Sequence, residues 1–261
     1  PQMDNMQKIP VFFTFDANYL LAAKVAIHSM MKHASRQYWY ELYVFHTTLS
    51  PKAQQSLRNS LKEFTHTELH FIDVTQYNEK IKNFGTKAHY SKEIFYKLIA
   101  TDVLPQYDRI ICSDVDVVFT GDFSPVFFMF PNEKFYYAGV GPVENSRMPY
   151  YRKDFSTTEM EILEHEIAAG FLLINLKELR NDHKQEEIIN FYVNNYPRLR
   201  LPEQDCIILT CWPYIKYLPI DYSLPISFYR LNMNQRDFYQ GNTEFAGDKA
   251  TALAKFNKGL A

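Results

Sequence analysis

Four short apolar runs, separated by helix-patterned stretches, occupy the first half of the chain. This alternation narrows the fold more than any other feature of the sequence. Ile9 to Phe15 is a β-branched and aromatic run with the character of a buried strand. It breaks at Asp16-Ala17-Asn18, residue types that start turns and helices. Leu21, Ala22, Val25, Ala26 and Ser29 then recur at helical spacing. Tyr40 to Phe45 is the second strand. Ser50-Pro51 opens a helix through about Phe64, with Pro where its missing N–H costs least. Glu68 to Val74 is the third strand. Ile94, Phe95, Leu98, Ile99 and Val103 mark one face of a helix ending near Pro105, and Arg109 to Ser113 is a short strand that runs into a carboxylate. A β-α-β-α-β order builds a largely parallel sheet covered by helices on both faces. Ligands of such sheets sit beyond the carboxyl ends of the strands. Two of those ends carry Asp here, at Asp16 and Asp114.

The second half is less regular. Phe135 to Gly141 and Phe171 to Asn175 read as strands, Glu186 to Val193 and Glu203 to about Leu209 as helices, and Pro and Tyr crowd Pro213 to Tyr229. Without a repeat or an evident linker, the expectation is one domain over residues 1–261. Its nucleotide-binding half would be about 1–121 and its acceptor-side half about 122–261.

Bulk properties exclude several classes. Lys and Arg are scattered and the formal charge is −2, whereas binding along a phosphate backbone needs a massed basic surface, so nucleic acid is not the expected partner. No apolar run approaches the roughly 20 residues of a membrane span, and Pro1 to Lys8 lacks the layout of a signal peptide. The three cysteines, Cys112, Cys206 and Cys211, are odd in number and contain no CxxC pair, which fits a reduced, cytoplasmic setting. Aromatics reach 16%. Core filling accounts for most such rings, and the excess also suits a cleft that stacks on bases or sugars.

The sharpest chemical feature is Ile110-Ile111-Cys112-Ser113-Asp114-Val115-Asp116-Val117-Val118. Two carboxylates one residue apart point to the same side if the chain stays extended. Their repulsion grows as water is excluded. A hard divalent cation removes that cost, and Mg²⁺ or Mn²⁺ typically takes one or two carboxylates together with phosphate oxygens. Because uncharged strand residues precede the pair and Val117 to Phe119 follow it, the pair is expected at the buried end of a strand.

The run Tyr96-Lys97-Leu98, Leu104-Pro105, Tyr107-Asp108-Arg109, Asp114-Val115-Asp116 and Gly121-Asp122 resembles glycosyltransferase family 8, the retaining galactosyl- and glucosyltransferases of bacterial surface glycans such as lipopolysaccharide, and their glycogenin relatives. The resemblance extends over nearly the whole chain. Phe15-Asp16-Ala17-Asn18-Tyr19 is similar to the family's first nucleotide-binding loop, Gly170 to Leu176 to its glycine-led strand, and Glu203-Gln204-Asp205 to its acidic-Gln-Asp segment.

This resemblance implies a GT-A fold, an α/β architecture with a Rossmann-like mixed central sheet flanked by helices. It implies a UDP-sugar donor (UDP-glucose or UDP-galactose), a glycan acceptor, and Mn²⁺ or Mg²⁺ held by Asp114 and Asp116. Thr14, Phe15, Asp16, Asn18 and Tyr19 would meet the nucleotide, with Tyr19 packing on the base. Val115 and Gly170 would border the donor. Lys97 stands where the family often has Arg, as a point charge rather than a fork. Gln204 would lie beneath the anomeric carbon and Glu203 would hold the sugar hydroxyls. Taken without the resemblance, Asp16 and Asn18 also read as a helix cap, Lys97 as a solvated lysine, and Glu203 as an acidic first helical turn.

Transfer with retention is implied, and an amide at Gln204 is a poor nucleophile. Attack on the face from which the diphosphate departs is therefore expected over a covalent sugar adduct. Three departures from the family pattern stand out. Ala168 occupies a position usually Asn, Gly139-Val140-Gly141-Pro142 lacks a usual Asp, and no late His-x-x-Gly-x-x-Lys-Pro-Trp segment follows His183. Lys249 to Phe256 reads as the helix before that segment, so the expectation is that this sequence stops short of it, and with it of a tail that could hold the protein at the inner face of a membrane. The other histidines show no ligand spacing. Two other readings stay open: a degenerate relative that binds nucleotide-sugar without turnover, and a haloacid-dehalogenase-like phosphatase using Asp114.

Overall fold

A computed structural model describes residues 5–82, 92–142, 151 and 153–223. The stretch Lys249 to Phe256 and the last part of the Pro- and Tyr-rich segment, 224–229, lie outside these residues. The centre is a seven-stranded sheet in the order β3-β2-β1-β4-β6-β5-β7. Its strands are β1 (Lys8–Thr14), β2 (Trp39–His46), β3 (Thr67–Asp73), β4 (Arg109–Ser113), β5 (Tyr137–Val140), β6 (Phe171–Asn175) and β7 (Ile215–Leu218). β3, β2, β1 and β4 run parallel; β6 is antiparallel to both β4 and β5, and β5 pairs parallel with β7. The parallel half matches the alternation in the first 121 residues. Reversal at β6 makes the whole sheet mixed, as the family resemblance implies and the strand–helix rhythm alone does not.

The sheet divides the core in two by its period of two. Phe12, Ile110, Cys112, Leu172 and Ile174 face one layer, while Val11, Phe13, Ile111, Phe171 and Leu173 face the other. The first layer is covered by the 3₁₀ segment Lys92–Leu98 and the helices Leu176–Asn181, Lys184–Asn195 and Pro202–Cys211, the second by helices Leu20–His33 and Pro51–Ser60. Phe12, Phe13, Val11 and Ile9 are fully buried, and each such side chain contributes roughly 1.5–3 kcal/mol through burial.

Several expected boundaries shift. The second helix ends at Ser60 rather than Phe64, because Leu61 closes the helix with backbone bonds to Arg58 and Asn59. Ile94 to Val103 is not one helix but the 3₁₀ segment Lys92–Leu98 and a single turn, Ala100–Val103. In the first helix the buried stripe is Ala23, Ala26, Ile27, Met30 and Met31, which leaves Leu21 and Val25 on the solvent side. Helix Thr157–Leu163, opened by a Ser156/Glu159 capping box, and strand β7 are additions to the expected elements. No helix of the described residues is long and apolar enough to cross a membrane.

Candidate active site

β1 and β4 are parallel neighbours, with Phe12 opposite Cys112, so the residues after Thr14 and after Ser113 emerge side by side at one edge of the sheet. Strand β4 ends at Ser113, and Asp114 to Asp116 form the bend beyond it. The alternation nevertheless carries through: Val115 points into the second layer, whereas Asp114 is partly exposed and Asp116 exposed. Asp114 thus continues the parity of Ile110 and Cys112, toward the layer that holds the Lys92–Leu98 segment and the Pro202–Cys211 helix. The expectation that Val117 to Phe119 bury this end is corrected. Val117 and Val118 lie on the surface, and only Phe119 is drawn in, its N–H donating to Ser29 Oγ at 2.9 Å.

Lys97 comes up under Asp114 from the covering layer. Its Nζ lies 2.7 Å from Asp114 Oδ1 and 3.2 Å from Glu203 Oε1, and it donates to Ala169 O at 3.1 Å. Its three protons therefore have three acceptors. Only 4% of the side chain is exposed, so the solvated-lysine reading is excluded. Burial disfavours its charge, but Asp114 and Glu203 outweigh burial and hold Lys97 protonated, above the ordinary lysine range. Cys112 beside it is pushed up to about 12 by burial, against the lowering effect of Lys97, and is a thiol rather than a nucleophile.

The antiparallel β4–β6 ladder brings Gly170 against the same carboxylate, because the Asp114 N–H donates to Gly170 O at 2.8 Å. A Cβ on Gly170 would stand 3.0 Å from Asp114 Oδ2. Gly170 is therefore needed for close approach, not for a turn. Gly170→Ala is expected to push Asp114 off its position. Activity at this site should fall about tenfold or more while the melting temperature changes little, since the clash is with the far end of a side chain rather than with backbone. Parallel rate and melting measurements check this.

Gln204 is fixed through its Oε1, which accepts from Ala169 N at 3.0 Å. The Ala169 peptide is thus held on both sides, by Gln204 at its N–H and by Lys97 at its carbonyl. Amide Nε2 is the end of Gln204 left to face a ligand. Asp205 is fully buried and accepts from Arg200 N at 2.7 Å, Leu201 N at 3.0 Å and Tyr151 Oη at 2.8 Å, which anchors the start of the helix that presents Glu203 and Gln204.

At the end of β1, Thr14 Oγ1 donates to Glu93 O at 3.1 Å, joining this strand to the segment that carries Lys97. Phe15 and Val115 are buried side chains, so only their backbones are available to a ligand. Asp16 Oδ1 accepts from Asn18 N at 2.8 Å and caps the short 3₁₀ turn Ala17–Tyr19. Asn18 is exposed and the Tyr19 ring is 47% exposed, free to lie against a planar group.

Asp114, Lys97, Gly170, Glu203 and Gln204 form one connected cluster, with Asp16, Asn18 and Tyr19 on the neighbouring strand end. For Asp114 as a cation ligand, Oδ1 is turned to Lys97 while Oδ2 overlies the bare Cα of Gly170. Asp116, two residues on, is exposed, and both residues carry the carboxylate oxygens that a hard cation takes together with phosphate and water. Among the described residues, a cluster of three metal-ligating side chains occurs elsewhere, at Glu41, Glu68 and His70 on β2 and β3. There Glu41 is already engaged by His70 at 2.7 Å, Trp39 Nε1 at 3.1 Å and Lys8 at 3.5 Å. The alternation Glu68-x-His70 along β3 was the available signal for that cluster, which spacing along the chain alone does not reveal.

The architecture is that of solved GT-A glycosyltransferases. The apo WbbM bifunctional glycosyltransferase superposes with a TM-score of 0.70 at 19% identity, over 97% of this chain and 45% of that one, so the chain spans less than half of WbbM. The galactosyltransferase LgtC, in complex with donor and acceptor sugar analogues, gives 0.67 at 18% identity over 85% of this chain and 77% of LgtC. Mouse xyloside xylosyltransferase 1 gives 0.62 at 18% identity over 82% and 86% of the two chains. No curated protein sequence matches this chain. The sequence model of Glycosyl transferase family 8 matches residues 10–246, nearly the whole length, and with the strand order and the Asp114 cluster in place the chain belongs to that family.

Proposed function

We propose that this chain is a retaining glycosyltransferase that moves a hexose, glucose or galactose, from a UDP-sugar to a glycan acceptor, with Mn²⁺ or Mg²⁺ held by Asp114 and Asp116. The observation that carries the reading is the Asp114 carboxylate, positioned by Lys97 and Gly170 where the ends of β1, β4 and β6 converge. Residues 1–121 would bind the nucleotide and 122–261 shape the acceptor side.

When bound, the cation supplies positive charge against the negative charge that builds on the departing diphosphate. The chain's own residues do the rest. Tyr19 offers a face for the base, while Asp16 and Asn18 offer polar atoms for uracil and ribose. Glu203 is oriented by Lys97 to accept from sugar hydroxyls. Gln204, held at its carbonyl by Ala169, presents its amide N–H toward the anomeric region. That N–H can donate to a sugar or phosphate oxygen, and with its carbonyl engaged Gln204 is not disposed as a nucleophile, so the acceptor hydroxyl attacks from the face the diphosphate leaves and its proton passes to the departing phosphate oxygen. Capture of a covalent sugar adduct on Gln204 would overturn that route.

A donor screen tests the function. UDP release is expected from UDP-glucose or UDP-galactose with Mn²⁺ and an acceptor, and should stop on chelation. UDP binding without release from any donor would mean the degenerate binding relative, favoured if the change to Ala168 has removed a needed sugar contact. Neighbours in the fold carry galactosyl- and xylosyltransferase names, so the screen should include UDP-xylose. Donor choice rests on pocket contacts worth roughly 1–3 kcal/mol each.

A further inference from the structure

We propose that His70, Glu41 and Glu68 form a second metal site, separate from the Asp114 cluster, that takes Zn²⁺ or a similar transition dication and pins the edge strand β3 to β2. One ligand atom from each residue, an imidazole nitrogen and two carboxylate oxygens, lies within 4.8 Å of the others. The sheet itself assembles the set. Glu41 and Glu68 are register partners across the parallel β2–β3 pair, and His70 follows Glu68 by two residues, so all three side chains leave the same face. They sit near the amino ends of these strands. Asp114 lies past the carboxyl end of β4, at the opposite end of the parallel sheet.

The inner ligand is already held in place. The Glu41 side chain is only 9% exposed, and its two oxygens divide their partners. Oε1 accepts from Trp39 Nε1 at 3.1 Å and meets Lys8 Nζ at 3.5 Å, while Oε2 faces His70 Nε2 at 2.7 Å. A hydrogen bond of this kind, to the oxygen that does not meet the ion, is what orients a ligating carboxylate. The Tyr43 ring stacks on the His70 imidazole, with 4.9 Å between centroids and 26° between planes, and fixes the direction of Nε2. Glu68 Oε2 stands 3.9 Å from the same nitrogen on an exposed side chain, so an ion enters from the solvent side. Around a tetrahedral Zn²⁺ with bonds of about 2.0–2.2 Å, ligand atoms stand ~3.4 Å apart. The separations of 2.7 and 3.9 Å bracket that value. A rotation of Glu68 and a sub-ångström parting of His70 from Glu41 meet it. The ion then takes the place of the proton in the His70–Glu41 hydrogen bond, which is released, and water fills the fourth position. Charge agrees with this occupant: two carboxylates against one lysine leave a net negative charge, and Lys8 is exposed enough to turn to solvent. An imidazole beside two carboxylates selects a borderline transition ion over Mg²⁺, which prefers oxygen ligands and keeps its water.

Calorimetric titration of Zn²⁺ into metal-stripped Asp114→Asn, without nucleotide, reads this site with the Asp114 carboxylate out of play. One ion per chain should bind with a dissociation constant on the order of micromolar. The melting temperature should rise by about 5 °C at a hundredfold excess of Zn²⁺ over that constant. Glu68→Gln and His70→Gln should each weaken binding at least tenfold and remove most of the thermal shift, and millimolar Mg²⁺ should not compete. No binding in Asp114→Asn, binding as tight in Glu68→Gln and His70→Gln as without them, or displacement by millimolar Mg²⁺ overturns the site. Glu68 is on the surface, so Glu68→Gln carries the test should His70→Gln fail to fold. The outcome is independent of glycosyl transfer: if Zn²⁺ binds as expected and no donor turns over, this site stands and the proposed function fails.

Discussion

Asp114→Asn is expected to cripple sugar transfer, with kcat reduced by roughly 10²- to 10³-fold, while the protein folds as before. Asn has the same shape and its carbonyl can still accept from Lys97. The backbone bond from residue 114 to Gly170 O does not involve the side chain. What disappears is one negative charge at the place where the proposed cation and diphosphate would meet. Losing a preorganised electrostatic contact of that kind costs hundreds- to thousandsfold in rate. Circular dichroism and melting should match the parent within about 1 kcal/mol, as Asp114 is about one-third exposed and Lys97 keeps Glu203. Normal folding with unimpaired transfer would remove Asp114 from the mechanism.

Lys97→Met has the largest expected effect on stability. It deletes the positive charge that Asp114 and Glu203 share and leaves the carbonyl of Ala169 without its donor. Breaking a buried ion pair from one side costs about 3–5 kcal/mol, and the lower end applies because Asp114 reaches solvent. The pH dependence separates the two forms. In the parent, Lys97 has its protonation raised above the ordinary 10.5. Its contribution is therefore complete below that value and is lost only as pH rises past the higher folded value, so no loss from this group occurs near neutrality. In Lys97→Met, the stranded carboxylates are harder to ionise when folded than when unfolded. Stability should then recover as pH falls toward the ordinary carboxylate range and decline above it. Denaturant melts from acid to neutral pH read both curves, and a variant equally destabilised at every pH would contradict the ion-pair account.

Legibility in the sequence follows the range of the forces involved. Period-two patterning needs only neighbours along the chain, so the first four strands were readable. The inward turn of Val115 between Asp114 and Asp116 followed the same alternation, even though the strand stops at Ser113. The direction of β6 was not readable from its apolar residues, since Phe171 to Asn175 would be buried in either orientation. Lys97 is the clearest failure of local reasoning. Its partner Glu203 is 106 residues away, and nothing around Tyr96-Lys97-Leu98 distinguishes a buried lysine from a solvated one. The resemblance to the family placed Lys97 near the donor, but its grip on two carboxylates required the packing of the Lys92–Leu98 segment on the Pro202–Cys211 helix. Leu21 and Val25 erred the other way, for their helical spacing is real but marks the face turned to solvent.

Coupling of a divalent cation to a nucleoside diphosphate through Asp114 and Asp116, as proposed, can be read by calorimetric titration of UDP. UDP should bind the parent protein with Mn²⁺ present, bind far more weakly after chelation, and show the same weak binding in Asp114→Asn with or without the metal. UDP binding that is equally tight without metal, or undiminished in Asp114→Asn, would contradict it.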